Sequence, residues 1–509
     1  MKNVLEYLER DALLFPDKTA FADVKNSVTY GELIQTARRI GTACAAYTRT
    51  RRPVVVLSEK SVETVSVFFG IVYAGCFYVC LDLKHPLERL EKILAELQPS
   101  LIVYDAAGKR VADKLPGEAA MVPFEDLMAA EADEELLGMI RREMIDVDPL
   151  YANFTSGSTG QPKGVLIPHR SVIDFIEVFC DTFGLTENDV FGNQAPFDFD
   201  VSVKDIYSGL RLGARVELLP RMFFSFPAKL LDHLSARGVT VLIWAVSALC
   251  IVSTLKALSH RVPESLRAIM FSGEIMPIKH LNYWRSYYPD AMFVNLYGPT
   301  EITCNCTYHI LDRAYEEGEL LPVGRHFDNE KVFLLDERDA LIEETGILGE
   351  ICVSGTAVGL GYLNDPEHTK ANFVQNPLNG LWLETIYRTG DLGMYDDEGL
   401  LYFKARKDFQ IKHQGHRIEL QEVELAMDAV ENVDRCVCLF DEEKDLLIAV
   451  YEGAADEKSI TRSLRTVLPA IMIPNLFYRT EALPVTKNGK IDRKTLKNVY
   501  ITEKNEVLS

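Results

Sequence analysis

The chain has 509 residues, too many for one hydrophobic core, so at least two domains are expected. Its 48% apolar and 25% charged residues are those of an ordinary globular protein. The net charge of −21, from 54 basic and 75 acidic residues, argues against nucleic-acid binding, which shows as a basic surplus or a basic stripe.

Residues 1–11 carry charges throughout and lack an apolar stretch, so no secretory signal is expected. Residues 53–57 read as a strand, followed by a helix over 61–73. The uncharged run 64–81 is long enough to raise the question of a membrane span. Ala74-Gly75 interrupts it, however, and 76–81 has strand character. It therefore reads as a buried helix followed by a buried strand, with no membrane insertion and a cytoplasmic location. Further strands are predicted at 100–104 and at 240–244, the latter after a helix that stops at Arg237-Gly238. This alternation predicts an α/β fold whose large N-terminal domain has mainly parallel sheets covered by helices.

The pattern changes after about residue 404. Lys404-Ala405-Arg406-Lys407-Asp408 is polar and charged between apolar runs, and reads as a hinge. A helix at 420–430, strands at 435–440 and 446–451, and a helix at 458–467 then make a small α+β domain. The expected domains are 1–407 and 408–509. The ten cysteines form no C-x-x-C pair. Cys304/Cys306 and Cys436/Cys438 are spaced by two, but only His309 lies near the first pair, so buried, reduced thiols are expected rather than zinc.

The strongest local signal is Phe154-Thr155-Ser156-Gly157-Ser158-Thr159-Gly160-Gln161-Pro162-Lys163-Gly164. Glycines let a backbone approach a ligand closely, and exposed N–H groups and hydroxyls hold phosphate oxygens. Lys163 adds a point charge suited to the same oxygens. A Walker A loop would need glycine before the lysine and Ser or Thr after it; Pro162 and Gly164 stand there instead. The apolar segments flanking the loop on both sides argue against a flexible linker.

This loop resembles the signature of the adenylate-forming superfamily: acyl-CoA synthetases, luciferases and amino-acid-activating adenylation enzymes. The resemblance covers essentially the whole chain, because further motifs follow in the family's order. They are Val28 to Leu33, Ala74-Gly75 to Arg89, Asn295-Leu296-Tyr297-Gly298-Pro299-Thr300-Glu301, Gly349 to Gly355 with Gly361-Tyr362-Leu363, Tyr387-Arg388-Thr389-Gly390-Asp391, Arg406 to Leu420, and Asn488-Gly489-Lys490.

The resemblance implies ATP and Mg²⁺ as cofactors. Asp391, on a tight Thr-Gly-Asp turn, resembles the carboxylate that accepts from the ribose hydroxyls, with Arg406 as its partner. Tyr297 would stack on the adenine, Thr300 would touch the α-phosphate, and Glu301 would help hold Mg²⁺. Asn295 and Gly298 belong to the same nucleotide-binding motif. Lys490 is the expected catalytic residue, because a cation bridging carboxylate and phosphate stabilises the meeting of two anions. Asp408 matches the hinge about which the small, mobile C-terminal domain would rotate between adenylation and thiol transfer. Ala405 departs from the usual glycine, and His413-Gln414 from the usual pair beside Gly415, which leaves the binding of the thiol partner open.

Asp200, in Phe199-Asp200-Val201-Ser202, resembles the aspartate that pairs with a substrate's α-ammonium; helix capping is the structural alternative. The expected pocket is Asp200, Val201, Lys204, Ser247, Met270, Ser272, Leu296, Cys304, Asn305 and Lys490. Among family members, D-alanine–carrier protein ligases are closest, although Ser272 and Lys204 replace cysteine and an apolar residue there. The alternative is a free-standing nonribosomal-peptide-synthetase-type enzyme for a small polar amino acid such as serine. An acyl-CoA synthetase is the third reading. Lys204 either invites an acidic side chain or points away to pair with an exposed carboxylate. With no carrier domain after Lys490, the acceptor thiol is expected in trans, on the phosphopantetheine arm of a carrier protein; Arg49, Arg51 and Arg52 form a basic run that reads as a solvated loop. A monomer is expected.

Overall fold

The computed structural model describes residues 1–157, 160–485 and 491–502. They divide into two compact units: 1–83, 96–153 and 164–407 in the first, and 84–95, 154–163 and 408–509 in the second. One division falls between Lys407 and Asp408, while two short stretches from the N-terminal part group with the second unit.

The first unit holds two large sheets. In the nine-stranded one, Val190–Asn193, Arg215–Leu218, Val241–Ala245, Ala268–Ser272 and Met292–Tyr297 pair in parallel, and antiparallel strands close both edges. In the seven-stranded one, Pro53–Leu57 lies between Phe77–Cys80 and Leu101–Tyr104, parallel to both. Every residue of Pro53–Leu57 and of Val241–Ala245 is buried, which explains why these strands read as continuous apolar runs without alternation.

The helix Val62–Tyr73 is capped by Ser61, whose side chain accepts from the Thr64 N–H, and is buried along nearly its whole length. Phe68 stacks on Tyr78 at 4.2 Å, and Phe69 meets Tyr207 edge-on at 6.2 Å. The uncharged run is thus core, and among the described residues no helix is long and apolar enough to cross a membrane. Gly75, at φ 70°, ends the helix where a Cβ would press to 2.8 Å from Thr50.

A third sheet of the first unit is wholly antiparallel and was not anticipated. It joins Glu330–Leu335, Leu341–Ile342, Gly349–Gly355, Phe373–Gln375, Thr385–Tyr395 and Leu401–Arg406. Its longest strand, Thr385–Tyr395, alternates buried and half-buried positions, as a sheet with one covered face requires. The second unit pairs Val433–Asp441, Leu446–Gly453 and Leu476–Arg479, with the helices Leu420–Asp428 and Glu457–Val467 packed in one apolar cluster around Val423, Met427, Ile460 and Leu464.

Candidate active site

Three neighbouring parallel strands of the nine-stranded sheet end together: Ala245 pairs with Ser272, and Ser272 with Leu296. The region beyond the carboxyl ends of parallel strands is where open α/β sheets bind ligands. Here Met270, Ser272 and Leu296 are buried, as are Val201, Cys304 and Asn305. The Ser247 N–H donates to Glu274 Oε2 at 3.2 Å.

Asp200 occupies the N-cap position of the helix Val201–Leu212, but its side chain makes no cap hydrogen bond, so capping does not account for it. It is buried, and its charge acts on both Lys204 and Cys304. The Cys304 thiol donates to the Asp200 carbonyl at 2.7 Å. Lys204, one helical turn on, is fully buried. Its Nζ donates to Asn305 Oδ1 at 2.5 Å and lies 3.4 Å from Ser272 Oγ. The reading in which Lys204 turns outward to an exposed carboxylate is therefore corrected: the helix face that carries Asp200 also carries position 204 inward. Burial pushes the Lys204 ammonium down from its ordinary pKa, against the attraction of Cys304, Asp200 and Asp205.

Asp391, the expected ribose carboxylate, is held from two sides. Tyr297 donates to its Oδ2 at 2.5 Å and Arg406 to its Oδ1. Thr389-Gly390-Asp391 is not a turn between elements but an irregularity inside the strand Thr385–Tyr395, with Gly390 at φ 72° and the register shifting opposite Glu350 and Cys352. Such a bulge re-aims one side chain of a strand. Asn295 Nδ2 donates to the Pro322 carbonyl at 2.8 Å. Thr300 and Glu301 lie on a short 3-10 turn, and buried Glu301 accepts from the Tyr362 hydroxyl at 2.7 Å.

Thr303 and Cys304 follow with φ of 57° and 82°, a strained pair for non-glycine residues. The Thr303 hydroxyl holds the turn by donating to the Ala357 carbonyl at 2.7 Å. Gly298 permits this close packing, since a Cβ there would stand 2.5 Å from Asn305 Cα.

The glycine-rich loop belongs to the second unit. Thr155 ends one strand, Lys163 opens the next, and Gly160 has φ 75°. Ser156 donates to the Arg417 carbonyl at 2.8 Å and accepts from the Glu419 N–H at 3.1 Å. The Gly157 N–H donates to Glu422 Oε2 at 3.2 Å, while Arg89 pairs with Glu422 Oε1 at 2.6 Å. A loop N–H and a guanidinium thus already share one anion. Asp408 begins the main segment of this unit and accepts from the Gln410 N–H at 3.2 Å. Ser158, Thr159 and Lys490 lie outside the described residues.

Lys60 is linked through Asn193 to Asp205 on the helix that carries Asp200 and Lys204, a relation the sequence does not reveal. Its Nζ donates to Asn193 Oδ1 at 3.2 Å and to the Asn193, Gln194 and Ala195 carbonyls at 3.0–3.3 Å. Asn193 in turn donates to Asp205 at 2.8 Å. Burial pushes Lys60 down to about 7 and Asp205 up to about 7. The one available signal was a lysine just past the end of the buried strand Pro53–Leu57.

A parallel-sheet nucleotide fold with this ordered set of motifs defines an adenylate-forming ligase. The sequence profile of AMP-binding enzymes matches residues 8–363, and the chain belongs to that family, whose nucleotide is ATP. It is 32% identical over 507 residues to zwittermicin A synthase ZmaJ of Bacillus cereus, covering 97% of this chain and 94% of that one. It is 31% identical over 522 residues to D-alanine–D-alanyl carrier protein ligase of Bacillus cereus, covering 97% and 98%. Against a mycosubtilin synthase of Bacillus subtilis, at 32% identity, the chain spans only 19% of the relative's length. The solved structure of holo-PA1221, a protein with adenylation and PCP domains, superposes with a TM-score of 0.82 at 26% identity, over 98% of this chain and 84% of that one.

Proposed function

We propose that this enzyme activates an amino acid as its AMP ester and passes it to the phosphopantetheine thiol of a carrier protein supplied in trans. The observation that carries this reading is Asp200: a buried carboxylate, unused as a helix cap, at the start of the helix that also carries the buried Lys204. An acyl or aryl acid brings no cation to such a carboxylate, whereas a zwitterion's α-ammonium does. The relatives named for carrier-protein ligation and for adenylation–PCP architecture support the acceptor.

In the first half-reaction the α-carboxylate oxygen bonds to the α-phosphorus of ATP. The bond from that phosphorus to the bridging oxygen breaks, and pyrophosphate leaves with its electron pair. Lys490 stabilises the charge at the meeting of the two anions. Asp391, held by Tyr297 and Arg406, orients the ribose through its remaining acceptor capacity, and Thr300 and the loop 155–163 hold phosphate oxygens. Glu301 fits a Mg²⁺ site of the kind completed by phosphate oxygens, because it offers a buried carboxylate that Tyr362 holds in place through one oxygen. That ion would neutralise phosphate charge. In the second half-reaction the thiol gives its proton to solvent, its sulfur bonds to the acyl carbon, the bond from that carbon to the phosphate oxygen breaks, and AMP leaves with the electron pair. Residues 1–407 and 408–509 act as core and mobile domain about Asp408.

Of the two amino-acid assignments, a polar side chain is favoured over D-alanine, because a methyl group leaves the buried Lys204 ammonium unmatched. We propose a cytoplasmic location and a monomeric state. The test is loading: enzyme, ATP, Mg²⁺ and an amino-acid pool are incubated with a phosphopantetheinylated carrier protein or with coenzyme A, and intact masses are read. An aminoacyl mass on the carrier supports the proposal; acylation of coenzyme A alone overturns it.

A further inference from the structure

Lys204 is fully buried, and among the described residues its ammonium makes no ion pair with any carboxylate. Its two partners, Asn305 Oδ1 and Ser272 Oγ, are neutral and occupy two of its three N–H donors. Asp205 accepts from Asn193 through Oδ2 while its Oδ1 makes no hydrogen bond, and the charges of Asp200 and Asp205 both act on Lys204 without an ion pair to it among the described residues. Met270, Leu296 and Val201 supply apolar walls, with at most 6% of each exposed. A charge in such surroundings is costly unless an anion joins it.

We infer that the anion is delivered by the substrate: the amino acid activated here carries a carboxylate on its side chain, as aspartate and glutamate do, and Lys204 binds it. This rests on the reading of the site as amino-acid-activating. Asp200 and Lys204 stand one helical turn apart, about 6 Å along one face of the helix Val201–Leu212. One short dicarboxylic amino acid matches that spacing, with its α-ammonium at Asp200 and its side-chain carboxylate at Lys204. Ser272 and Asn305 add a hydroxyl and an amide that donate to the same carboxylate. The downward push that burial exerts on Lys204 is relieved when that carboxylate arrives. A neutral substrate would seal the ammonium away from water with only neutral groups bonded to it and the two aspartates acting from a distance.

The experiment is ATP–pyrophosphate exchange on the full-length enzyme with both enantiomers of aspartate, glutamate, asparagine, glutamine, serine and alanine, and with octanoate and benzoate. It is repeated for K204M and K204R, with thermal melts to confirm folding. The expected result is that an acidic amino acid exceeds its own amide by at least about tenfold in kcat/KM, an energy difference of one good interaction. K204M should remove or invert that ratio, and K204R should keep the acid preference. If serine or alanine leads in the wild type, or if folded K204M keeps the wild-type acid-to-amide ratio, the inference is overturned while amino-acid activation stands. Exchange with octanoate or benzoate alone overturns the amino-acid reading itself.

Discussion

Tyr297 donates its hydroxyl to Oδ2 of Asp391 at 2.5 Å, across 94 residues of sequence, and Arg406 approaches the other oxygen of the same carboxylate. The bond ties the end of a parallel strand in one sheet to a bulge in the antiparallel sheet. It leaves Asp391 fixed in orientation yet with lone pairs to spare.

Replacing Asp391 with Asn should therefore raise KM for ATP about 10- to 100-fold, the loss of hydrogen bonds to a charged acceptor. Y297F should raise it less, about tenfold, by leaving the carboxylate less well held. Pyrophosphate exchange at varied ATP checks both. Unchanged KM with a lowered melting temperature would make the pair structural only.

Gly298→Ala should damage the amino-acid site from a distance. The new Cβ would meet Asn305 Cα at 2.5 Å and the Cys304 carbonyl at 2.7 Å, so the segment holding Asn305 against Lys204 must shift. We expect a stability loss of about 1–3 kcal/mol, as for overpacking, and a rise in amino-acid KM larger than that in ATP KM. Denaturant unfolding and exchange kinetics measure the two separately.

Lys490→Ala should lower amino-acid-dependent exchange by about 100-fold or more, as removal of an electrostatic transition-state contact does. Transfer from pre-formed aminoacyl-AMP to a carrier thiol should be largely spared. Asp408→Pro, which fixes φ at the proposed hinge, should do the reverse and impair transfer more than exchange. Single-turnover assays of each half-reaction test this division.

His169 should shape the acid side of the stability curve. It is fully buried, and burial, reinforced by Arg141, pushes it down to about 3. Between about 6.5 and 3 the unfolded chain binds a proton that the folded chain does not, so stability is lost as pH falls through that window. H169Q should flatten this limb, and denaturant unfolding at pH 7.5 and pH 4.5 checks it.

Much of the fold was legible because buried parallel strands such as Pro53–Leu57 are unbroken apolar runs, and Gly75 and Gly238 mark helix ends. The antiparallel sheet was missed because its strands, such as Thr385–Tyr395, mix polar with apolar residues and so show no unbroken apolar run. Thr389–Asp391 read as a turn because a bulge with a left-handed glycine uses the same residues as a turn. Which way Lys204 points could not be read from the sequence, since it depends on Ser272 and Asn305, 68 and 101 residues away. Lys60 was hidden for the same reason, as its carbonyl cage comes from residues 193–195.

The central claim, activation of an amino acid through Asp200, is tested most directly by pyrophosphate exchange with the wild type and D200A against amino acids and simple carboxylic acids. Exchange should depend on an amino acid and fall by about 100-fold or more in folded D200A, the loss of a buried charge pair. Exchange driven by acids lacking an amino group, and unchanged in D200A, would contradict it.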